Sequence, residues 1–148
     1  SEMCIRDRYK TDQFDWIKSL TAGLDIVSGD DSKTDELEGF SKYFGARHKH
    51  HGYYDYSSHK KYFGHAHEGL QELNLKGKFN FLASSNLLVA MHSFSSHDGI
   101  TKYGNELDLI IKRKVSDELS SEFGLVFYDP EEGNDLLTFM YVMFTANF

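Results

Sequence analysis

The 148-residue chain is 40% hydrophobic and 15% aromatic, with 12 Phe, 9 Tyr, 12 Gly and a single Pro. That composition excludes a disordered chain and suits long β-strands joined by turns. A formal net charge of −7 with no basic stripe excludes a nucleic-acid partner, and no run approaches the ~20 apolar residues of a membrane-crossing helix, which leaves a membrane barrel of ~10-residue strands open.

The chain opens on "SEMCIRDRYK", which lacks the apolar core of a signal peptide. This stretch resembles translated adapter sequence, so residues 1–8 are set aside from the fold as a non-native adapter-derived segment; the alternative is a genuine polar N-terminus. Residues 9–148 are then expected to be the C-terminal segment of a single larger barrel. Cys4 is the sole cysteine, so no internal disulfide can form.

In "WIKSLTAGLDIVSGDD", Leu20, Ala22, Leu24 and Ile26 share one face and Thr21, Gly23 and Asp25 the other. Period two over that length predicts a strand. Residues 29–68 are polar, rich in His and Tyr, and expected to form a long extracellular loop. Within them "HHGYYDYS" offers a short hairpin. The acidic "SGDDSKTDELE" lacks the ligand order and central Gly of an EF-hand and reads as a solvated loop. Six of the 8 His lie between His48 and His67. Closely spaced imidazoles suit Zn, Ni or Cu, but no HExxH and no carboxylate-flanked scaffold accompanies them, so no metal and no cofactor is expected.

"GLQELNLKGKFNF" returns to strict alternation, with Leu73, Leu75, Gly77, Phe79 and Phe81 against Glu72, Asn74, Lys76, Lys78 and Asn80. "NLLVAMHSFSS" is apolar on both faces, so its inside and outside stay open. In "NELDLIIKRKV", Leu107, Leu109 and Ile111 oppose Glu106, Asp108 and Lys112; in "LSSEFGLVFYDP", Leu119, Phe123, Leu125 and Phe127 oppose Ser120, Glu122, Gly124 and Tyr128. The closing "LLTFMYVMFTANF" alternates to the last residue, Phe148.

The fold class predicted is all-β, an antiparallel meander of about six long strands forming the C-terminal part of a transmembrane β-barrel. The connections alternate long (29–68), short (82–86), longer (95–104), short (116–118) and longer (129–135), as expected of periplasmic turns and extracellular loops on opposite rims. The Leu/Phe faces then meet lipid, and the candidate pore-lining residues are Asp25, Glu72, Lys76, Lys78, Glu106, Asp108, Lys112 and Glu122. Alternation fits equally an antiparallel sheet with one buried and one wet face. Tyr128, Phe127, Phe94 and Tyr103 fall near strand ends on the outer rim, where aromatic girdles sit. Met140, Val142, Phe144 and Phe148 resemble the C-terminal assembly signal of bacterial outer-membrane proteins, with Ala146 at a step often aromatic. That resemblance implies the barrel-assembly machinery as a partner.

A family resemblance covers about residues 14–148. Ser28, Gly29, Asp30 and Asp31, then Gly45, Arg47, His48, Gly52 and Asp55, then Gly69, Leu70 and Leu73, then Gly104, Glu106, Leu107 and Asp108 resemble the C-terminal portion of the alginate-export (AlgE-like) family. The resemblance implies a large outer-membrane β-barrel acting as a porin or exporter, in whose namesake a basic lumen conducts a polyanionic polysaccharide. The candidate lining residues here are mixed in sign, a departure that puts alginate itself in doubt.

The function expected is a channel of the bacterial outer membrane for hydrophilic, anionic or polysaccharide solutes, surrounded by outer-membrane lipid and lipopolysaccharide. No GxSxG elbow is present and nothing singles out His92 with Ser93 or Ser95, so no catalytic residue is named and no enzyme is expected. The alternatives are a soluble or periplasmic ligand-binding β-barrel, and a complete eight-stranded membrane barrel if residues 40–68 add a hairpin.

Overall fold

The structure, a computed structural model, describes residues 2–10, 14–30, 33–34, 36, 51–54, 68–131 and 135–147. Within them lie seven strands: β1 (Glu2–Tyr9), β2 (Ile17–Val27), β3 (Leu70–Leu82), β4 (Ser85–Ser95), β5 (Lys102–Lys114), β6 (Leu119–Pro130) and β7 (Leu137–Ala146). Each pairs antiparallel with the next in a single meander sheet, whose edges are β1 and β7. The sheet does not close. The described residues contain no helix, and so none long and apolar enough to cross a membrane.

The count is seven rather than six because the segment set aside from the fold, Glu2–Tyr9, pairs with β2 along its whole length, from Glu2 opposite Val27 to Tyr9 opposite Leu20. Its own alternation explains why. Met3, Ile5 and Tyr9, with Asp7 among them, fall on one side and Cys4, Arg6 and Arg8 on the other, so the apolar residues follow the apolar face of β2 at all but one position.

Strands β2–β6 share one polarity rule. The register sets Asp25 opposite Glu72, Asn74 opposite His92, His92 opposite Glu106, Ala90 opposite Asp108 and Lys112 opposite Glu122. Because side chains alternate, these all project from one face. That face is the buried one: Asp25, Glu72, Asn74, His92, Glu106, Asp108 and Glu122 are all buried. The opposite face is apolar and exposed, with Ile5, Leu20, Leu73, Leu75, Met91, Phe123 and Met140 on it; Val142 and Phe144 are 60% and 67% exposed. Three of the four terminal-motif residues, Met140, Val142 and Phe144, thus lie on the outward face, and Phe148 lies outside the described residues. β4, open on sequence, resolves with Ala90, His92 and Phe94 inward and Met91 and Ser93 outward.

The turns fix this register. Ala83 and Ser84 join β3 to β4, and Ser84 adopts φ 60, a left-handed conformation that costs a non-glycine residue about 1–2 kcal/mol. Its carbonyl accepts the Lys114 N–H at 3.0 Å, tying the turn to β5. At the β5–β6 turn the Ser116 hydroxyl accepts the Leu119 N–H at 3.1 Å. The connections 83–84 and 115–118 share a rim, opposite 28–69, 96–101 and 131–136. The β1–β2 connection, residues 10–16, shares the rim of the short turns yet is one residue longer than 96–101 or 131–136 opposite, so sorting by length holds only from β2 onward.

An apolar cluster closes the buried face at the rim of the long connection: Val27, Leu70, Phe94, Tyr103 and Tyr128, with Tyr54 and Leu137 packed against it. This corrects the expectation of an outward girdle for Phe94, Tyr103 and Tyr128, which are at most 5% exposed, while Phe127 keeps to the outward face with Leu107. The Tyr128 hydroxyl donates to the Tyr103 carbonyl at 2.8 Å, and the Tyr103 hydroxyl to the Gly69 carbonyl at 2.9 Å. An exposed aromatic group lies instead at the short-turn rim, where Trp16 stacks on Phe79 at 5.8 Å and tilts against Phe14 at 6.2 Å.

Candidate functional site

All eight residues expected to line a pore share the buried face, and the register sorts them into two zones. Toward the rim of the long connection lie Asp25, Glu72 and Glu106; Asp108 stands mid-sheet, opposite Ala90 as Lys76 is, and joins them through His92. Toward the short-turn rim lie Lys76, Lys78 and Lys112, the last paired with Glu122 at 2.5 Å.

The acidic zone is closed and internally bonded. Arg6, from β1, meets Asp25 Oδ2 at 2.8 Å. Glu72 stands at the centre: its Oε2 meets His51 Nδ1 at 2.5 Å, its Oε1 meets His92 Nδ1 at 2.6 Å, and Asn74 Nδ2 donates to Oε1 at 3.2 Å. His92 Nε2 lies 3.3 Å from Asp108 Oδ2, a charge contact rather than an aligned hydrogen bond. An imidazole with a carboxylate at each nitrogen can donate to both only as the cation. Acidic residues are almost never fully buried unless paired, and this zone buries four carboxylates against Arg6 and two imidazoles.

Residues 51–54 of the long connection cover this zone. Gly52, at φ +82, passes directly over Glu106, where a Cβ would come within 2.6 Å of both carboxylate oxygens. The close approach lets the Tyr54 N–H donate to Glu106 Oε1 at 2.8 Å. Tyr54 stacks on Tyr128 at 5.5 Å, and Tyr53 on Tyr141 at 6.1 Å. Tyr141 in turn lies over Gly124, whose lack of a side chain leaves room for the ring, and its hydroxyl donates to Glu122. Burial pushes the Tyr53 phenol above its ordinary range.

The basic zone is open. A hollow of about 670 Å³ on the same face is lined by Arg6, Arg8, Lys18, Lys76, Lys78 and Lys112, with His92 and neutral groups including Ser19, Thr21, Asn74, Asn86 and Tyr53; no carboxylate of the described residues lines it. A concave, low-dielectric wall of one sign focuses its field and concentrates counter-ions. The arrangement can hold or pass an anion.

The sequence placed the eight candidates on one face but missed several neighbours. Arg6 and Arg8 fell in the segment set aside, although their alternation with Met3, Ile5 and Tyr9 marks them as inward partners of β2. His92 was considered only with Ser93 or Ser95; adjacent strand residues face opposite ways, and His92 is buried between Glu72 and Asp108 while Ser93 is exposed. His51 sits in sequence among the closely spaced histidines of the long connection, and no local signal shows that it folds onto the sheet. His48, His50, His59, His65, His67 and the hairpin considered for 40–68 lie outside the described residues, apart from 51–54 and 68, which form no strand. No family model, no curated protein and no solved structure matches the chain.

Proposed function

We propose that the sheet is wall of an outer-membrane β-barrel that conducts hydrophilic anions, the porin or export class that the resemblance to the alginate-export family implies. The observation that carries this reading is the inverted polarity: charged residues are buried on one face while large apolar residues stand exposed on the other. Each such side chain left in water forgoes about 1.5–3 kcal/mol of burial, and exposed apolar patches on soluble monomers seldom exceed a few hundred Å². Lipid supplies the missing cover. On β5 the outward residues between polar Asn105 and Arg113 are Leu107, Leu109 and Ile111. At about 3.4 Å per residue that interval measures roughly 27 Å along the strand, near the ~25 Å apolar band of a membrane barrel before tilt. The Phe14, Trp16 and Phe79 rings suit the headgroup level.

Conduction is passive. An anion entering the basic hollow exchanges part of its hydration for Lys76, Lys78 and the arginines, and the field of those cations raises its local concentration. Ser19, Thr21 and Asn86 offer neutral hydrogen bonds along the way. The mixed signs noted in the sequence resolve into zones, and the zone with open space is the basic one.

Two measurements test this. The protein partitions with detergent and shows heat-shifted gel mobility; recovery in the aqueous fraction without detergent overturns the reading. In reconstituted liposomes a salt gradient gives an anion-selective reversal potential, and Lys76→Glu with Lys78→Glu reverses its sign. The second reading, a soluble barrel holding a small anionic ligand, is favoured by the size of the hollow, which falls in the range of ligand pockets; aqueous recovery together with ligand binding would establish it.

A further inference from the structure

The 51–54 segment meets the sheet at a place where two wall carboxylates and one imidazole converge. Asp25 on β2, Glu72 on β3 and His51 are all buried, and one ligand atom from each lies within 4.8 Å of the others. We propose that these three residues form a site for a divalent transition metal of the zinc class, which clasps the 51–54 segment to β2 and β3.

Three features beyond proximity point to a cation. First, Asp25 is fully buried, and its Oδ1 has no hydrogen-bond partner. A buried carboxylate oxygen without a donor carries its full desolvation cost, which a bound cation removes. Second, the outer contacts are already divided as metal ligands require. Arg6 holds Asp25 through Oδ2, which leaves Oδ1; His92 and Asn74 hold Glu72 through Oε1, which leaves Oε2 to His51. Such supporting contacts orient ligands for a metal and fix their basicity. Third, the donor set is selective. Calcium and magnesium take oxygen ligands, whereas an imidazole beside two carboxylates suits Zn, Co, Ni or Cu. His51 Nδ1 and Glu72 Oε2 stand 2.5 Å apart, a separation bridged by a shared proton. Metal entry displaces that proton to solvent and opens the contact.

The consequence is positional. His51 is followed directly by Gly52, Tyr53 and Tyr54, and Tyr53 lines the basic hollow. A metal on His51 therefore sets how firmly Tyr53 is held at the edge of the hollow.

Titration of the metal-free full chain in detergent with Co(II), followed by its visible absorption, tests the site. One equivalent binds with the spectrum of a low-coordinate N/O site, Zn(II) displaces it, and Ca(II) and Mg(II) do not. Asp25→Asn, which keeps the side-chain shape, and His51→Ala, which leaves the strands untouched, each weaken binding by more than about a hundredfold, beyond the roughly 10–100-fold loss expected of a merely supporting group. Both variants are compared at matched heat-shifted gel mobility, so that loss of fold is not read as loss of a ligand. Zn(II) also slows amide hydrogen exchange at residues 51–54. Absence of binding to the unaltered chain overturns the proposal. So does Co(II) affinity unchanged in both variants, which places the ion on other histidines, or exchange at 51–54 that ignores a bound ion.

Discussion

The two ends of the buried face treat charge in opposite ways. At the end near the long connection, Asp25, Glu72 and Glu106, joined from mid-sheet by Asp108, are fully or nearly fully buried, most are bonded to Arg6, His51, His92 or the Tyr54 amide, and aromatic rings and the 51–54 segment cover them. At the other end, cations of one sign stand around open space. The lesson is that charge on a strand face carries no single meaning. Where carboxylates and their partners close upon one another they hold the fold, and where like charges face a hollow they act on whatever enters it.

That comparison is broken most directly at Glu72. Glu72→Leu strands His51 and His92 without their common partner, and removing one member of a buried ion pair costs about 3–5 kcal/mol. Urea unfolding in lipid vesicles should show a loss of that size with little change in ion selectivity. A loss under 1 kcal/mol would mean that the acidic zone is not structural. A smaller effect of the same kind is expected above it: Tyr128→Phe keeps the ring in the cluster but removes the hydroxyl donated to Tyr103, for about 1 kcal/mol in the same assay.

At the basic end the pattern inverts. Lys78 is exposed, so Lys78→Leu should change stability by no more than about 0.5 kcal/mol while lowering the anion preference in a salt-gradient reversal potential. An unaltered potential would detach Lys78 from conduction. The smallest effect is expected outside the sheet, in the 96–101 connection. The Ser96 hydroxyl donates to Asp98 at 2.5 Å and the Ile100 N–H at 3.0 Å, and together they hold the Asp98 carboxyl below its ordinary value. A depressed folded value means the stabilisation is fully present above the unfolded-state pKa and is lost as pH falls through the folded one. Exchange of the Ile100 amide, corrected for its intrinsic pH dependence, should therefore lose protection below about pH 4, the ordinary Asp range, and a flat corrected profile would contradict this.

Much of the sheet was legible because period two survives where nothing competes with it. β3 and β5 read off the sequence with their faces assigned, and so did the shared face of the eight candidate lining residues. Phe94 and Tyr128 were legible too, since they keep step with His92 and with Glu122; expecting them in an outward girdle overrode their own parity. Tyr103 was not. It keeps step with outward Leu107 and Leu109, but the register shifts beside it, where Phe94 faces Gly104 and Ser95 faces Lys102, and that irregularity turns it inward. β4 stayed ambiguous because Leu87, Leu88 and Val89 are apolar in succession. The separation of the charges was hidden for another reason. It depends on which residue faces which across strands, and turn lengths set that, not the strands' own alternation. His51 was hidden most completely, because a long connection reaches the sheet by a path that leaves no period.

The number of strands has a directional consequence. In a meander each strand reverses the one before, so β1 and β7, the first and seventh, ascend together. Bringing these two edges into contact would make a parallel seam in an otherwise antiparallel wall, with slanted hydrogen bonds in place of perpendicular ones. A wall antiparallel all the way around takes an even number of staves, so the seven strands of the described residues cannot by themselves form one.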